Sequence, residues 1–68
     1  MIIVSVLIPA YNEDATILKI LRKVKAVTYT GVKFEVLVID DGSNDRTIEL
    51  LEANPDLFSQ LIKMPQNG

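Results

Sequence analysis

Two short polar clusters interrupt an otherwise apolar chain, and each follows directly on a run of β-branched residues. The first, Pro9-Ala10-Tyr11-Asn12-Glu13, offers a flat aromatic ring, an amide and a carboxylate. The second, Asp40-Asp41-Gly42-Ser43-Asn44-Asp45, offers three carboxylates and a glycine. In parallel α/β sheets ligands bind outside the carboxyl ends of the strands, where loops and helix starts converge, so both clusters fall where chemistry is expected. Backbone N–H groups at two helix starts would suit a phosphate. Several carboxylates beside a diphosphate are unfavourable unless a divalent cation bridges them or they address the base and ribose instead. The chemistry that fits is recognition of a nucleotide together with a hard metal ion.

Other chemistries are excluded by what the chain lacks. There is no G-x-x-x-x-G-K-[ST] and no G-x-G-x-x-G after the first apolar run, which argues against P-loop and dinucleotide chemistry. His and Cys are both absent, so catalytic triads, thiol nucleophiles, thiolate metal sites and disulfides are out. Lys and Arg number 7 against 9 for Asp and Glu, a formal charge of -2, which speaks against a cationic surface for nucleic acid. The longest apolar stretch, residues 1–10, is about half the roughly 20 residues a bilayer-spanning helix needs. It lacks the basic flank and cleavage site of a signal peptide. A cytoplasmic location is the expectation.

The elements that must position the clusters follow from periodicity. Ile2 to Ile8 reads as a strand buried on both faces, ended by Pro9. Ile17, Ile20, Leu21, Val24 and Val27 then recur at helical spacing over residues 15–27, with Glu13 and Asp14 opposing the dipole at the start and Lys23 and Lys25 at the end. Residues 34–39 form a second β-branched run after Gly31. A shorter helix is expected from near Asn44 to before Pro55, since Ser43, Asn44 and Asp45 are all competent N-caps. Residues 58–64 make a weaker third strand, expected at a sheet edge. Strand, helix, strand, helix, strand calls for parallel strands with right-handed crossovers. The fold class is therefore α/β, a Rossmann-like β-α-β-α-β fragment. With 68 residues, 49% of them hydrophobic, one small core is available and a complete doubly wound sheet is not.

Three stretches carry a family resemblance. Val4-Ser5-Val6-Leu7-Ile8-Pro9-Ala10-Tyr11-Asn12-Glu13, then Val38-Ile39-Asp40-Asp41-Gly42-Ser43-Asn44-Asp45-Arg46-Thr47, then Asn67-Gly68, resemble the start of a family 2 glycosyltransferase of the GT-A fold. The nearest branch is that of dolichyl-phosphate mannose synthase and polyprenyl-phosphate sugar transferases. The resemblance implies that residues 1–68 are the amino-terminal, nucleotide-sugar-binding portion of a truncated glycosyltransferase domain. Its nucleotide-sugar-binding residues would be Pro9, Ala10, Tyr11 and Glu13 in the first loop and Asp40, Asp41 and Gly42 in the second. Asp40 matches the carboxylate that hydrogen-bonds base or ribose, while Asp41 and Gly42 shape the loop. The family moves a sugar from a nucleotide diphosphate, here a GDP- or UDP-hexose, to an acceptor such as polyprenyl or dolichyl phosphate. A divalent metal, Mg or Mn, is implied, held by a D-x-D motif that this chain does not contain. Neither a catalytic residue nor a metal ligand is assigned within the chain, which alone is expected to be inactive. The implied location is cytoplasmic, at the cytoplasmic face of a membrane.

Each of these residues also has a plain structural reading. Tyr11 could pack on the following helix, Pro9 could simply end a strand, and Glu13 could do no more than complement a helix dipole. Asn12 reads better as a helix-start residue than as a ligand. Asp40 could cap the turn after its strand. Asp41, Ser43, Asn44 and Asp45 divide between turn formation, capping and ligand contact. Lys19, Arg22, Lys23 and Lys25 read as a solvated helix face, with a membrane-surface role as the alternative. For the whole chain the alternative is a non-catalytic nucleotide-binding or packing half-domain that works with a partner, associating through its exposed sheet edge.

Overall fold

The computed structural model of the chain describes residues 1–65. Asn67 and Gly68, which contribute to the resemblance above, lie outside the described residues. The elements run β1 (Ile2–Ala10), α1 (Ile17–Lys25), β2 (Val32–Asp40), α2 (Thr47–Glu52), a 3-10 turn (Pro55–Leu57) and β3 (Gln60–Lys63). One sheet forms in the order β1-β2-β3. Both pairings are parallel, with Ile8 opposite Val38, Ala10 opposite Asp40, and Asp40 opposite Lys63. The expected β-α-β-α-β topology with parallel strands is therefore observed.

β1 continues through Pro9 to Ala10 where the apolar run suggested a stop. The ladder explains why. Ile2 N donates to Gly31 O at 2.9 Å and Asp41 N donates to Ala10 O at 3.0 Å, so the even-numbered residues of β1 turn their backbone groups toward β2. Pro9, an odd-numbered residue, places its missing N–H on the outer edge, where no ladder bond is lost.

The expectation that β1 is buried on both faces is not met. The core comprises Ile8, Ala10, Val36 and Val38 from the strands, Ile17 and Leu21 from α1, Leu51 from α2, and Leu57. All the strand residues in it are even-numbered and share one face. The sheet order steps twice in the same direction, so right-handed crossovers bring both helices to that face. The other face is left bare among the described residues, with Ile3 62% and Leu7 60% exposed.

Both helices begin later than expected. α1 starts at Ile17 because Thr16 N and Ile17 N first close a turn onto Glu13 O, at 3.1 and 2.8 Å. Glu13 and Asp14 precede the first turn, which carries no acidic residue; the basic last turn, with Arg22, Lys23 and Lys25, is as expected. α2 starts at Thr47, because residues 43–45 are committed to a loop described below. β3 is shorter than residues 58–64, the 3-10 turn having taken up the chain before it. Ser59 is still tied to β2, its N–H donating to Val36 O at 2.8 Å and its Oγ accepting from Val36 N at 3.0 Å.

A core this small leaves little reserve. Leu21 is fully buried, and Leu21→Ala should cost about 2–5 kcal/mol, against the roughly 3–5 kcal/mol that such a core supplies. Urea unfolding followed by circular dichroism should show the cooperative transition lost. Leu7→Gln, on the bare face, should move the midpoint by no more than about 0.5 kcal/mol.

Candidate functional site

The parallel register decides which loops meet. Ala10 and Asp40 are partners at the last rung shared by β1 and β2. The loop of residues 11–16 and the loop of residues 41–46 therefore leave the sheet side by side at its carboxyl end. Ala10 and Asp40 both fall on the core face and are each 2% exposed.

A carboxylate buried this deeply requires donors. Asp40 obtains them from the turn that follows it. Gly42 N and Ser43 N donate to its Oδ2 at 3.1 and 3.0 Å, and Ser43 Oγ donates to its Oδ1. Both amides can reach the same oxygen because Gly42 adopts a φ of 77°, open to glycine at little cost. A carboxylate presents about four acceptor positions. Three are taken here, so one remains.

The second loop is then stitched to the first. Asn12 N donates to Ser43 Oγ at 2.9 Å, Glu13 N to Thr47 Oγ1 at 2.8 Å, and Asp14 N to Asp45 Oδ2 at 3.2 Å. In return Asn12 Oδ1 accepts from Asn44 N at 2.7 Å and Asp45 N at 3.3 Å. Asp45 Oδ1 accepts from Thr47 N at 2.9 Å and from Thr47 Oγ1, which fixes the start of α2. Thr47 is fully buried between the loops.

This network answers where a phosphate could sit. The N–H groups of residues 12–14, 42–45 and 47 all donate within the loops, so a phosphate cradle built from them is not available. What remains free is mostly side chain. Tyr11 is 48% exposed and Asp41 is exposed, each one residue beyond the Ala10–Asp40 rung. Pro9 is exposed on the outer face, Glu13 and Gly42 are half-buried, and Ala10 and Asp40 lie beneath. All seven residues singled out from sequence thus gather at one rim, in two tiers. Sequence reasoning did not anticipate Asn12 and Thr47 as fastenings between loops. The signal available was the spacing of the hydroxyls of Ser43 and Thr47 and the carboxylate of Asp45, which reads equally well as local capping.

Electrostatics follow from the same contacts. Burial, the largest single influence on Asp45, pushes its carboxyl up. The hydrogen bonds from the Thr47 hydroxyl, Thr47 N and Asp14 outweigh it, and the net shift is downward. Among the described residues no three metal-ligating side chains converge on one point. A groove of about 310 Å³ lies elsewhere, beside the amino end of β2. It is lined by apolar residues, among them Val24, Val27, Phe34, Leu57 and Phe58, and flanked by the 3.7 Å Lys25–Asp56 ion pair.

The same two loops are matched in known proteins. The family model for Glycosyl transferase family 2 matches residues 5–68. The chain belongs to glycosyl transferase family 2. An undecaprenyl-phosphate 4-deoxy-4-formamido-L-arabinose transferase of Pseudomonas paraeruginosa is 48% identical over 52 residues, covering 75% of this chain and 15% of that protein. The transferase of the same description from Pectobacterium atrosepticum is 42% identical over 66 residues, covering 94% of this chain and 20% of the relative. Glycosyltransferase AglE of Haloferax volcanii is 53% identical over 47 residues, covering 69% and 16%. The crystal structure of S. aureus TarS superimposes with a TM-score of 0.73 at 28% identity, covering 98% of this chain and 12% of that one. The fold is the parallel β-α-β-α-β arrangement of a GT-A glycosyltransferase, as the resemblance implied. This family 2 chain spans only 15–20% of the length of the curated relatives just described.

Two outcomes test the loop architecture of this family 2 segment. Asp40→Ala strips the acceptor from two backbone amides and should lower stability by about 2–3 kcal/mol, read from the urea midpoint. Asp45 has a lower pKa folded than unfolded, so its contribution is complete above the ordinary value of 3.8 and is lost as pH falls through the folded value. Acid unfolding of Asp45→Asn should accordingly lose part of its pH dependence in that range, measured by circular dichroism against the parent.

Proposed function

We infer that this chain is the nucleotide-facing portion of a family 2 glycosyltransferase that transfers a sugar from a nucleotide diphosphate donor to a polyprenyl phosphate. The single observation that carries the reading is the Ala10–Asp40 rung, which brings Tyr11 and Asp41 to one rim. Tyr11 supplies a flat, half-exposed ring for a base to stack on. Asp41, and Asp40 through its remaining acceptor position, meet the N–H and O–H donors of base and ribose. An acidic rim repels a diphosphate, and the loop amides are already in use. The base and ribose therefore lie against these loops and the diphosphate points away from them. Its charge would be met by a divalent ion, Mg or Mn, and among the described residues no three metal-ligating side chains converge to hold one.

The relatives' names extend the proposal. Two of them carry undecaprenyl phosphate in their names, which supports a lipid-phosphate acceptor and a working place at a membrane; its cytoplasmic face is part of the proposal. The sugar is a hexose or, as in those names, a modified pentose. No helix among the described residues is long and apolar enough to cross a bilayer, so membrane contact by this segment would be peripheral.

The test is titration of the protein with UDP and with GDP, followed by calorimetry in manganese and by amide chemical shifts in diamagnetic magnesium. Saturable binding of one of them is expected, with shifts concentrated at residues 9–13 and 40–42. Tyr11→Ala should weaken it roughly tenfold, the loss expected for one base stacked on one aromatic ring. Shifts confined to the groove near Phe34, or binding indifferent to Tyr11, would remove the rim from the site.

A further inference from the structure

We propose that Asn12 is a positioning residue of the donor site: it touches no ligand itself and sets the relation between the Tyr11 loop and the Asp40–Asp41 loop. The assignment rests on the donor-site reading above and adds to it a residue that the reading does not use. Asn12 is the one residue other than glycine with a positive φ, 49°, among the described residues. Asparagine tolerates this left-handed conformation better than most side chains, yet it still carries a cost. A strained residue is retained where its surroundings hold it, and here three hydrogen bonds do.

Two of them run from Asn44 N and Asp45 N to the Asn12 carboxamide oxygen, across more than thirty residues of chain. The third runs from Asn12 N to Ser43 Oγ, and that hydroxyl donates in turn to Asp40. Asn12 thus grips both the far side of the second loop and, through Ser43, the carboxylate at its base. Tyr11 is its immediate neighbour, so the backbone turn at Asn12 also sets where the ring stands. If the grip is lost, Tyr11 and Asp41 can drift apart while the core beneath, built around Val38 and Leu21, is untouched.

Three variants separate these effects. Asn12→Gly keeps the backbone conformation and deletes the acceptor. Asn12→Asp keeps an acceptor oxygen. Asn12→Ala loses both features. Amide hydrogen exchange in the full chain without nucleotide should speed up at least tenfold at Asn44 and Asp45 in Asn12→Gly, with Val38 changed less than twofold and Asn12→Asp restoring protection. Asn12→Ala should exchange at least as fast as Asn12→Gly. The affinity for UDP or GDP in manganese, whichever the parent binds, should fall at least fivefold in Asn12→Gly. Unchanged exchange at Asn44 and Asp45, a parallel rise at Val38, or no rescue by Asn12→Asp would overturn the local grip. Parent protein that binds while Asn12→Gly binds equally well would overturn this inference alone. Parent protein that binds neither nucleotide would overturn the donor-site reading and the role of Asn12 in it together.

Discussion

The Asp40 carboxylate is the constraint from which the rest of the carboxyl end follows. It closes the central strand on the core face, where the alternation of β2 directs it inward between Val38 and the loop above. A carboxyl group at that depth must be surrounded by hydrogen-bond partners, and the chain supplies them within three residues by turning back at Gly42. That turn places Ser43 where it can serve two masters, donating to Asp40 and accepting from Asn12. From there the bonds pass to Asp45 and Thr47 and so to the start of α2. One buried carboxyl group thus organises two loops and the first turn of a helix.

What could be read from the chain beforehand was what local pattern controls. Alternation and β-branching identified three strands, helical spacing identified two helices, and their order required a parallel sheet. The polar clusters after residues 8 and 39 marked its carboxyl end correctly. The misreadings have a common cause, which is that they depended on partners far away in sequence. Pro9 looked like a stop because its missing N–H matters only if that side of the strand is paired. β1 looked doubly buried because nothing in its own residues reveals that both helices share one face. Asn12 looked like part of a helix start, whereas its partners lie in the second loop. Asp45 was legible as a capping type, but that its other carboxylate oxygen receives Asp14 N, and that the Thr47 hydroxyl receives Glu13 N, was not.

The hydrogen-bond accounting also bears on how a donor could be held. A loop whose amides face outward can bind anions directly, as glycine-rich phosphate loops do. Here the amides are turned inward onto side-chain oxygens of the two loops. The loops are therefore a shaped surface rather than a cradle, and recognition falls to the side chains left on the rim. Tyr11 with Asp41 suits a group with an aromatic face and an edge of N–H and O–H donors. It does not suit one bearing two negative charges. The division of labour proposed for the donor, with its base at this rim and its diphosphate directed elsewhere, follows from that asymmetry.

Packing is distributed in the same sense. On its core face, burial in β1 deepens toward the carboxyl end, from Ile2 and Val4, which are exposed, through half-buried Val6 to Ile8 and Ala10, which are in the core. The residues with the least exposure, Ile17, Leu21, Val38, Thr47 and Leu51, belong to the strand centre and to the helices just after the two loops. The rim thus stands on the most closely packed part of the molecule, and the exposed apolar surface is concentrated at the opposite end of β1 and on the uncovered face. Local opening draws first on segments with few buried contacts, so fraying of this sheet would begin at Met1 and spread toward the loops only after much of β1 had been released. A site assembled from backbone hydrogen bonds between loops, rather than from a deep cavity, gains its rigidity from that placement.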